Sequence, residues 1–214
     1  MFKRSKYDVV LLIAVLAVVV IGIVMITSVG VPKSIKISAP DMRYPDCASD
    51  AVDCYLILKN HAVRALIGLV GMVIAWKLNY KYWKTLAPLM YGLAFALLVF
   101  VLVGGGSDNG TFATSWINIG GALPFIDSLQ PSEVAKLGLI LYLSYFFAEK
   151  VSTEQIQDFK EGFLKFGAIA GVIIGLIVVQ PDIGSAMVLS AIAVAIYYLA
   201  GASWRHLGLM VLMG

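Results

Sequence analysis

Long apolar runs, broken at intervals by short polar stretches, organise this chain. The first extends from Val9 to Val29, and five more follow at about Ala62–Trp76, Leu86–Val103, Val134–Ala148, Phe166–Val179 and Ile183–Ala200. A straight crossing of lipid hydrocarbon takes ~20 apolar residues in a helix. The pattern therefore predicts a polytopic, all-α transmembrane bundle. Several runs fall short of that length, which predicts that their polar ends lie inside protein. A last stretch, Leu207 to Gly214, begins like another helix. The expectation is a single transmembrane domain over 1–214, with six complete helices and the start of a seventh, as in a piece of a larger bundle. Between the runs lie two long loops, 30–60 and 104–132, and a polar connector, 149–165.

Composition sharpens this reading. Apolar residues make up 60% of the chain and charged residues 14%, where a soluble domain carries about a quarter charged residues. A water-soluble fold cannot hide so much apolar surface. Nucleic acid is excluded as a partner, because no basic stripe interleaves with aromatic residues. Lys3, Arg4 and Lys6 ahead of the first run imitate a secretory signal. That run is too long for one and has no clear small-residue cleavage site, so it reads as a retained helix.

The basic residues set the orientation, because cytoplasmic segments of membrane proteins are enriched in Lys and Arg. With the N-terminus in the cytoplasm, Lys3, Arg4, Lys6, Lys77, Lys81, Lys84, Lys150, Lys160, Lys165 and Arg205 fall inside. Only Lys33, Lys36, Arg43 and Lys59 fall outside, and the loop 104–132 holds no basic residue. The connector has its own pattern. Ser152 and Gln155 have capping-box spacing, and Ile156, Phe159, Phe163 and Phe166 form one apolar face opposite Glu154, Asp158 and Glu161. This predicts an interfacial helix on the cytoplasmic side. Cys47 and Cys54, seven positions apart in the first external loop, predict a local disulfide rather than a metal site, since only His61 stands near them.

Charges inside apolar segments are expensive, so each is a functional candidate. Glu133 and Lys136 open the fourth run in Gln130-Pro131-Ser132-Glu133-Val134-Ala135-Lys136. At i, i+3 they share a helix face and can pair. Pro131 and Ser132 are ordinary helix-start residues and Glu133 suits a helix N-terminus, but Lys136 opposes the helix dipole. Gln180-Pro181-Asp182-Ile183-Gly184-Ser185 separates the fifth and sixth runs. It reads equally as punctuation, with Asp182 a cap, or as part of a site. Arg64 can snorkel to an interface, and Trp116 with Ile117 suits an interfacial anchor. The glycine-rich stretch from Gly104 has no Lys-Ser/Thr after it and is no phosphate loop. His61 and His206 fall on opposite sides of the membrane. Together these residues predict a polar cleft near the outer face, suited to a transporter, an ion pathway or an enzyme acting on a lipid-linked substrate.

The sequence also resembles a known family. A Trp-Ile pair at 116–117, Gln-Pro-Ser-Glu-x-x-Lys at 130–136 and Gln-Pro-Asp-Ile-Gly-Ser at 180–185, in this order, resemble the SEDS family (shape, elongation, division and sporulation proteins, the FtsW and RodA type). The opening run ending Gly22-Ile23-Val24-Met25-Ile26-Thr27-Ser28 and the connector residues Ile156, Asp158, Phe159, Gly162 and Phe163 are similar to its FtsW branch. The resemblance covers nearly the whole chain but only about the first six helices of a ten-helix family.

What the resemblance implies is a peptidoglycan glycosyltransferase. Such a protein polymerises lipid II, an undecaprenyl-pyrophosphate-linked disaccharide peptide, at the outer face of the bacterial inner membrane. Its partners would be a class B penicillin-binding protein and other membrane proteins of division or elongation. By the same resemblance Glu133, Lys136 and Asp182 line the central cavity, with Gln130, Gln180, Arg64 and Trp116 as further substrate-binding candidates. The family's essential aspartate lies in a loop after the seventh helix, so no residue here takes a catalytic role. Use of a divalent cation stays open, and no metal ligands are identified. Two departures stand out. Ser115 replaces the arginine usual before the loop tryptophan, and the 30–60 loop is longer than the family pattern. Lipid II flippase and non-catalytic scaffold of the division machinery remain as alternatives.

Overall fold

The computed structural model describes residues 9–39, 47–49, 52–105, 115–123 and 126–213. Lys3, Arg4, Lys6 and Arg43 lie outside the described residues. The helices divide into two compact units, 1–77 and 78–214, where the sequence reads as one domain.

The first unit is a helix pair, α1 (Val9–Ser38) and α2 (Leu56–Lys77). No apolar side chain along either helix is buried, as expected of surfaces whose solvent is lipid. At 30 residues, α1 is about 45 Å long and outruns the ~30 Å of hydrocarbon. This corrects the expected loop from Gly30. The end of an apolar run marks where lipid stops, whereas the helix continues through Pro32 to Ser38. Two serines make that extension useful. Ser34 Oγ accepts from the Ile57 amide at 3.1 Å and Ser38 Oγ from the Asp53 amide at 3.2 Å. They take up donors where α2 begins and intrahelical acceptors are lacking. Cys47 and Cys54 are disulfide-bonded in the segment between, with Cα atoms 5.8 Å apart. A hydrogen bond from Lys59 and another from the Tyr55 amide hold the Asp53 carboxyl below its ordinary range.

The second unit contains α3 (Tyr80–Phe100), a hairpin of β1 (Ile117–Leu123) and β2 (Ile126–Leu129), α4 (Pro131–Glu149), the single turn α5 (Thr153–Ile156), α6 (Lys165–Val179), α7 (Ile183–Leu199) and α8 (Trp204–Met213). The spans Tyr80–Gly104 and Phe159–Val179 join α1 and α2 as helices long and apolar enough to cross a membrane. At 19 residues, α4 approaches that length, and α7 has 17. Within the expected 104–132 loop lies a hairpin that the sequence reading did not foresee. Its strands run antiparallel, with Ile117 opposite Leu129 and Asn118 opposite Ser128.

The core lies between α3, α4, α6 and α7. Leu98, Leu139, Leu143, Ile173, Ile177 and Leu189 are wholly buried there, among Ala94, Ala135 and Ala193. Small residues set the closest approach, as membrane helices require. A Cβ on Gly138 would sit 2.8 Å from the Met90 carbonyl oxygen, so α3 and α4 meet only with glycine at that position.

The helices of this unit run up and down, which defines two ends. At the connector end, α3 begins beside the end of α4, and Lys84 meets Glu149 at 2.6 Å. At the hairpin end, α4 and α7 begin. The connector itself departs from the single interfacial helix expected. Ser152 and Gln155 do form the capping box, but the turn stops at Ile156. Asp158 then caps a fresh π-helical turn, Phe159–Leu164, by accepting from the Lys160 and Glu161 amides. These bonds hold its carboxyl below the usual range. The break buries Ile156 and Phe166 and leaves Phe159 exposed, so the four-residue apolar face is divided.

Candidate functional site at the hairpin end

Two Gln-Pro pairs open the two helices that start at this end. Pro131 is the first residue of α4, where its missing amide costs nothing. Gln130 precedes it without a side-chain cap bond. Its amide instead donates to Asp182 Oδ2 at 3.4 Å. Asp182 caps α7, accepting from the Ser185 amide at 3.1 Å, and Ser185 Oγ reaches Ser132 Oγ at 3.3 Å. Gln180 is buried and donates to the Leu98 carbonyl at 2.8 Å. Four helix ends, those of α3, α4, α6 and α7, are thus tied by side chains rather than by contact of backbones.

On the next turn of α4, Lys136 Nζ donates to Glu133 Oε1 at 2.6 Å. The Lys136 side chain is 24% exposed and that of Glu133 59%. Lys136 follows buried Ser132 by four residues, which puts both on one side of the helix. The pair therefore borders the cluster while keeping an open face. Chemically the end offers one ammonium, two carboxylates and the positive ends of two helix dipoles. Helix N-termini and lysine are the usual protein partners of phosphoryl oxygens.

The structure thus brings Gln130, Gln180 and Asp182 together, with Glu133 and Lys136 on the same helix head. Gln180 is tied to the end of α3, which gives it a structural duty that the sequence did not reveal. Trp116 stands half-buried directly before β1, after the buried Ser115. Arg64 is exposed on α2 in the first unit. Ser132 and Ser185 were not foreseen as linkers. The repeated Gln-Pro marked both helix heads but not the serines, because Gln130 immediately precedes α4 whereas Gln180 ends α6, three residues before α7. Among the described residues no three His, Cys, Asp or Glu groups gather as metal ligands would.

Comparison with known proteins extends this picture. Residues 8–214 match the model of the FtsW/RodA/SpoVE family, described as cell cycle protein. The chain is 31% identical over 200 residues to the probable peptidoglycan glycosyltransferase FtsW of Trichlorobacter lovleyi, covering 94% of this chain and 47% of that protein. It is 29% identical to stage V sporulation protein E of Bacillus subtilis, over 99% of this chain and 52% of that one. Among solved structures it superposes on the Thermus thermophilus rod shape determining protein RodA with a TM-score of 0.67 at 26% identity, covering 98% of this chain and 59% of that one. A peptidoglycan synthase complex, solved for its structural coordination of polymerization and crosslinking, gives 0.69 at 27% identity, covering 98% and 53%. The chain spans about half the length of the curated relatives it matches. It belongs to the FtsW/RodA/SpoVE family of helical, multi-pass inner-membrane proteins.

Proposed function

We propose that this chain is the N-terminal portion of a peptidoglycan glycosyltransferase that polymerises lipid II at the outer face of the inner membrane. The observation that carries the reading is the Glu133–Lys136 pair, open on one side, at the head of a family helix beside the Gln130–Asp182 link. In this reading the hairpin end faces outward, consistent with the distribution of Lys and Arg. Lys136 offsets the charge of the lipid-linked diphosphate, and Glu133 holds the ammonium in place. The N-termini of α4 and α7 add favourable dipoles. The general base comes from outside this chain. The working partner is a class B penicillin-binding protein, a reading supported by the likeness to a synthase complex that couples polymerization with crosslinking. Use of a divalent cation is left to experiment.

A flippase needs a polar path for the head group. The side chains wholly buried between the ends of the second unit, Leu98, Leu139, Leu143, Ile173 and Leu189, are apolar, which favours polymerisation. The test uses the full-length protein with its penicillin-binding partner. Glycan strands from purified lipid II in detergent, without head-group translocation in sealed liposomes, support the proposal. Translocation without polymerisation supports a flippase. Neither activity, with partner binding retained, indicates a scaffold.

A further inference from the structure

At the connector end of the second unit a groove of about 200 Å³ opens between α3 and α4. Its walls include Trp83, Leu141, Tyr145 and Ala148, and the Lys84–Glu149 pair stands at its rim. The polymerase reading makes no use of it. A groove between two membrane helices lined mainly by apolar and aromatic side chains suits an acyl chain as its occupant.

The rim adds a charge preference. Lys81 stands one turn before Lys84, and Lys150 directly follows Glu149 with its ammonium 5.9 Å from the centre of the Tyr145 ring. Glu149 is matched by Lys84 at 2.6 Å. Among the described residues no carboxylate is paired with Lys81 or Lys150. The local balance is three ammonium groups against one carboxylate, an excess of two positive charges beside an apolar slot. Tyr80, Trp83 and Tyr145 are amphipathic aromatics of the kind that sit at headgroup depth. A zwitterionic phospholipid would bring its own cation against these lysines. A phospholipid with a net negative headgroup brings none, and lysines near the membrane surface attract such headgroups. We infer that the α3–α4 groove is a binding site for one anionic phospholipid, with its acyl chain against Trp83 and Tyr145 and its headgroup between Lys81 and Lys150.

The experiment reads Trp83 fluorescence in the full chain carrying Trp76→Phe, Trp116→Phe and Trp204→Phe. Tail-brominated phosphatidylglycerol or tail-brominated phosphatidylcholine is titrated into mixed detergent micelles. The expected result is quenching by the anionic lipid at roughly tenfold lower mole fraction or less, a preference weakened by salt. Lys81→Gln with Lys150→Gln should erase the preference, and Lys81→Arg with Lys150→Arg should keep it. Native mass spectrometry of the chain with all its tryptophans should retain one anionic lipid over zwitterionic lipid, which guards against misfolding of the tryptophan variant. Equal quenching by both lipids, or a preference that survives the double glutamine replacement, overturns the assignment.

Discussion

At the connector end of the second unit, Tyr197 is wholly buried and His206 nearly so. The Tyr197 hydroxyl lies 2.8 Å from His206 Nδ1 and 3.2 Å from the Ile156 carbonyl. Phe166 stacks on Tyr197 with centroids 4.4 Å apart, and Phe163 stands 5.2 Å from His206. At the hairpin end, Glu133 and Lys136 meet at 2.6 Å with their outer faces open, and Gln130 reaches Asp182 at a long 3.4 Å. Both ends join helices through polar side chains. At the first, around Tyr197 and His206, the hydroxyl and Nδ1 are enclosed by aromatic rings and paired within the protein, so this cluster offers neither atom to a ligand. At the second, donors and acceptors remain in reach of an outside molecule. The contrast separates polar groups that hold the fold from polar groups that can bind.

Substitutions at the two ends should therefore fail differently. The largest stability loss is expected for Gly162→Ala. A Cβ there would lie 2.1 Å from the Ile156 carbonyl oxygen and 2.9 Å from that of Gln155. The connector must rebuild its backbone, at a cost of about 3 kcal/mol. Unfolding in detergent by titration with a denaturing surfactant measures it, and an unchanged midpoint would remove the connector from the fold's supports.

Tyr197→Phe keeps the ring stack but strips His206 and the Ile156 carbonyl of their shared hydroxyl. Leaving buried polar atoms unpaired costs about 1–2 kcal/mol. Specific activity per folded molecule of the full-length protein should stay near that of the parent. A large drop in activity at normal stability would break the contrast between the ends.

Asp182→Asn at the other end should show the reverse. Asparagine caps helices as well as aspartate does, so the change in stability should stay within about 0.5 kcal/mol. Lost activity at unchanged stability marks the carboxylate as functional, whereas unaltered activity makes Asp182 a cap alone.

The smallest effect is a pH dependence confined to the connector. Asp158 has its carboxyl lowered in the folded state, chiefly by the Glu161 and Lys160 amides. A carboxyl lowered on folding stabilises the fold at pH above its unfolded value and loses that contribution as pH falls through the folded value. Neutral pH should therefore show no change, and the connector should loosen only below about pH 4. Hydrogen exchange at Lys160 and Glu161, corrected for intrinsic rates, should show this step in the parent and not in Asp158→Asn.

Much of this molecule was legible in its sequence, for reasons that differ by region. Apolar run length located α6 and α7 within a residue, because their ends coincide with Gln180-Pro181-Asp182 and with the change from apolar to polar residues. The same rule stopped α1 at the lipid edge and missed Gly30 through Ser38, since hydropathy reports solvent and not helix continuity. The capping box at Ser152 was visible as a local spacing. The break after Ile156 was not, because it depends on Gly162 approaching the Ile156 carbonyl. At the hairpin end the charges of Glu133 and Lys136 stood out against apolar neighbours. The Ser132–Ser185 contact and the Gln180 bond to Leu98 join residues more than fifty positions apart. No single-sequence pattern reports such pairings.

The central claim is that the hairpin end binds substrate through the Glu133–Lys136 pair. Its most direct test is the double replacement Glu133→Gln with Lys136→Met in the full-length protein, beside each single variant. Breaking a buried or half-buried pair harms folding mainly through the orphaned charge, so the double variant should insert in the membrane at the parental amount. It should nonetheless fail to support cell-wall synthesis and to polymerise lipid II in vitro, since no ammonium remains to meet the diphosphate. A double variant present at normal levels and fully active would contradict the account and reduce the pair to a feature of the helix head.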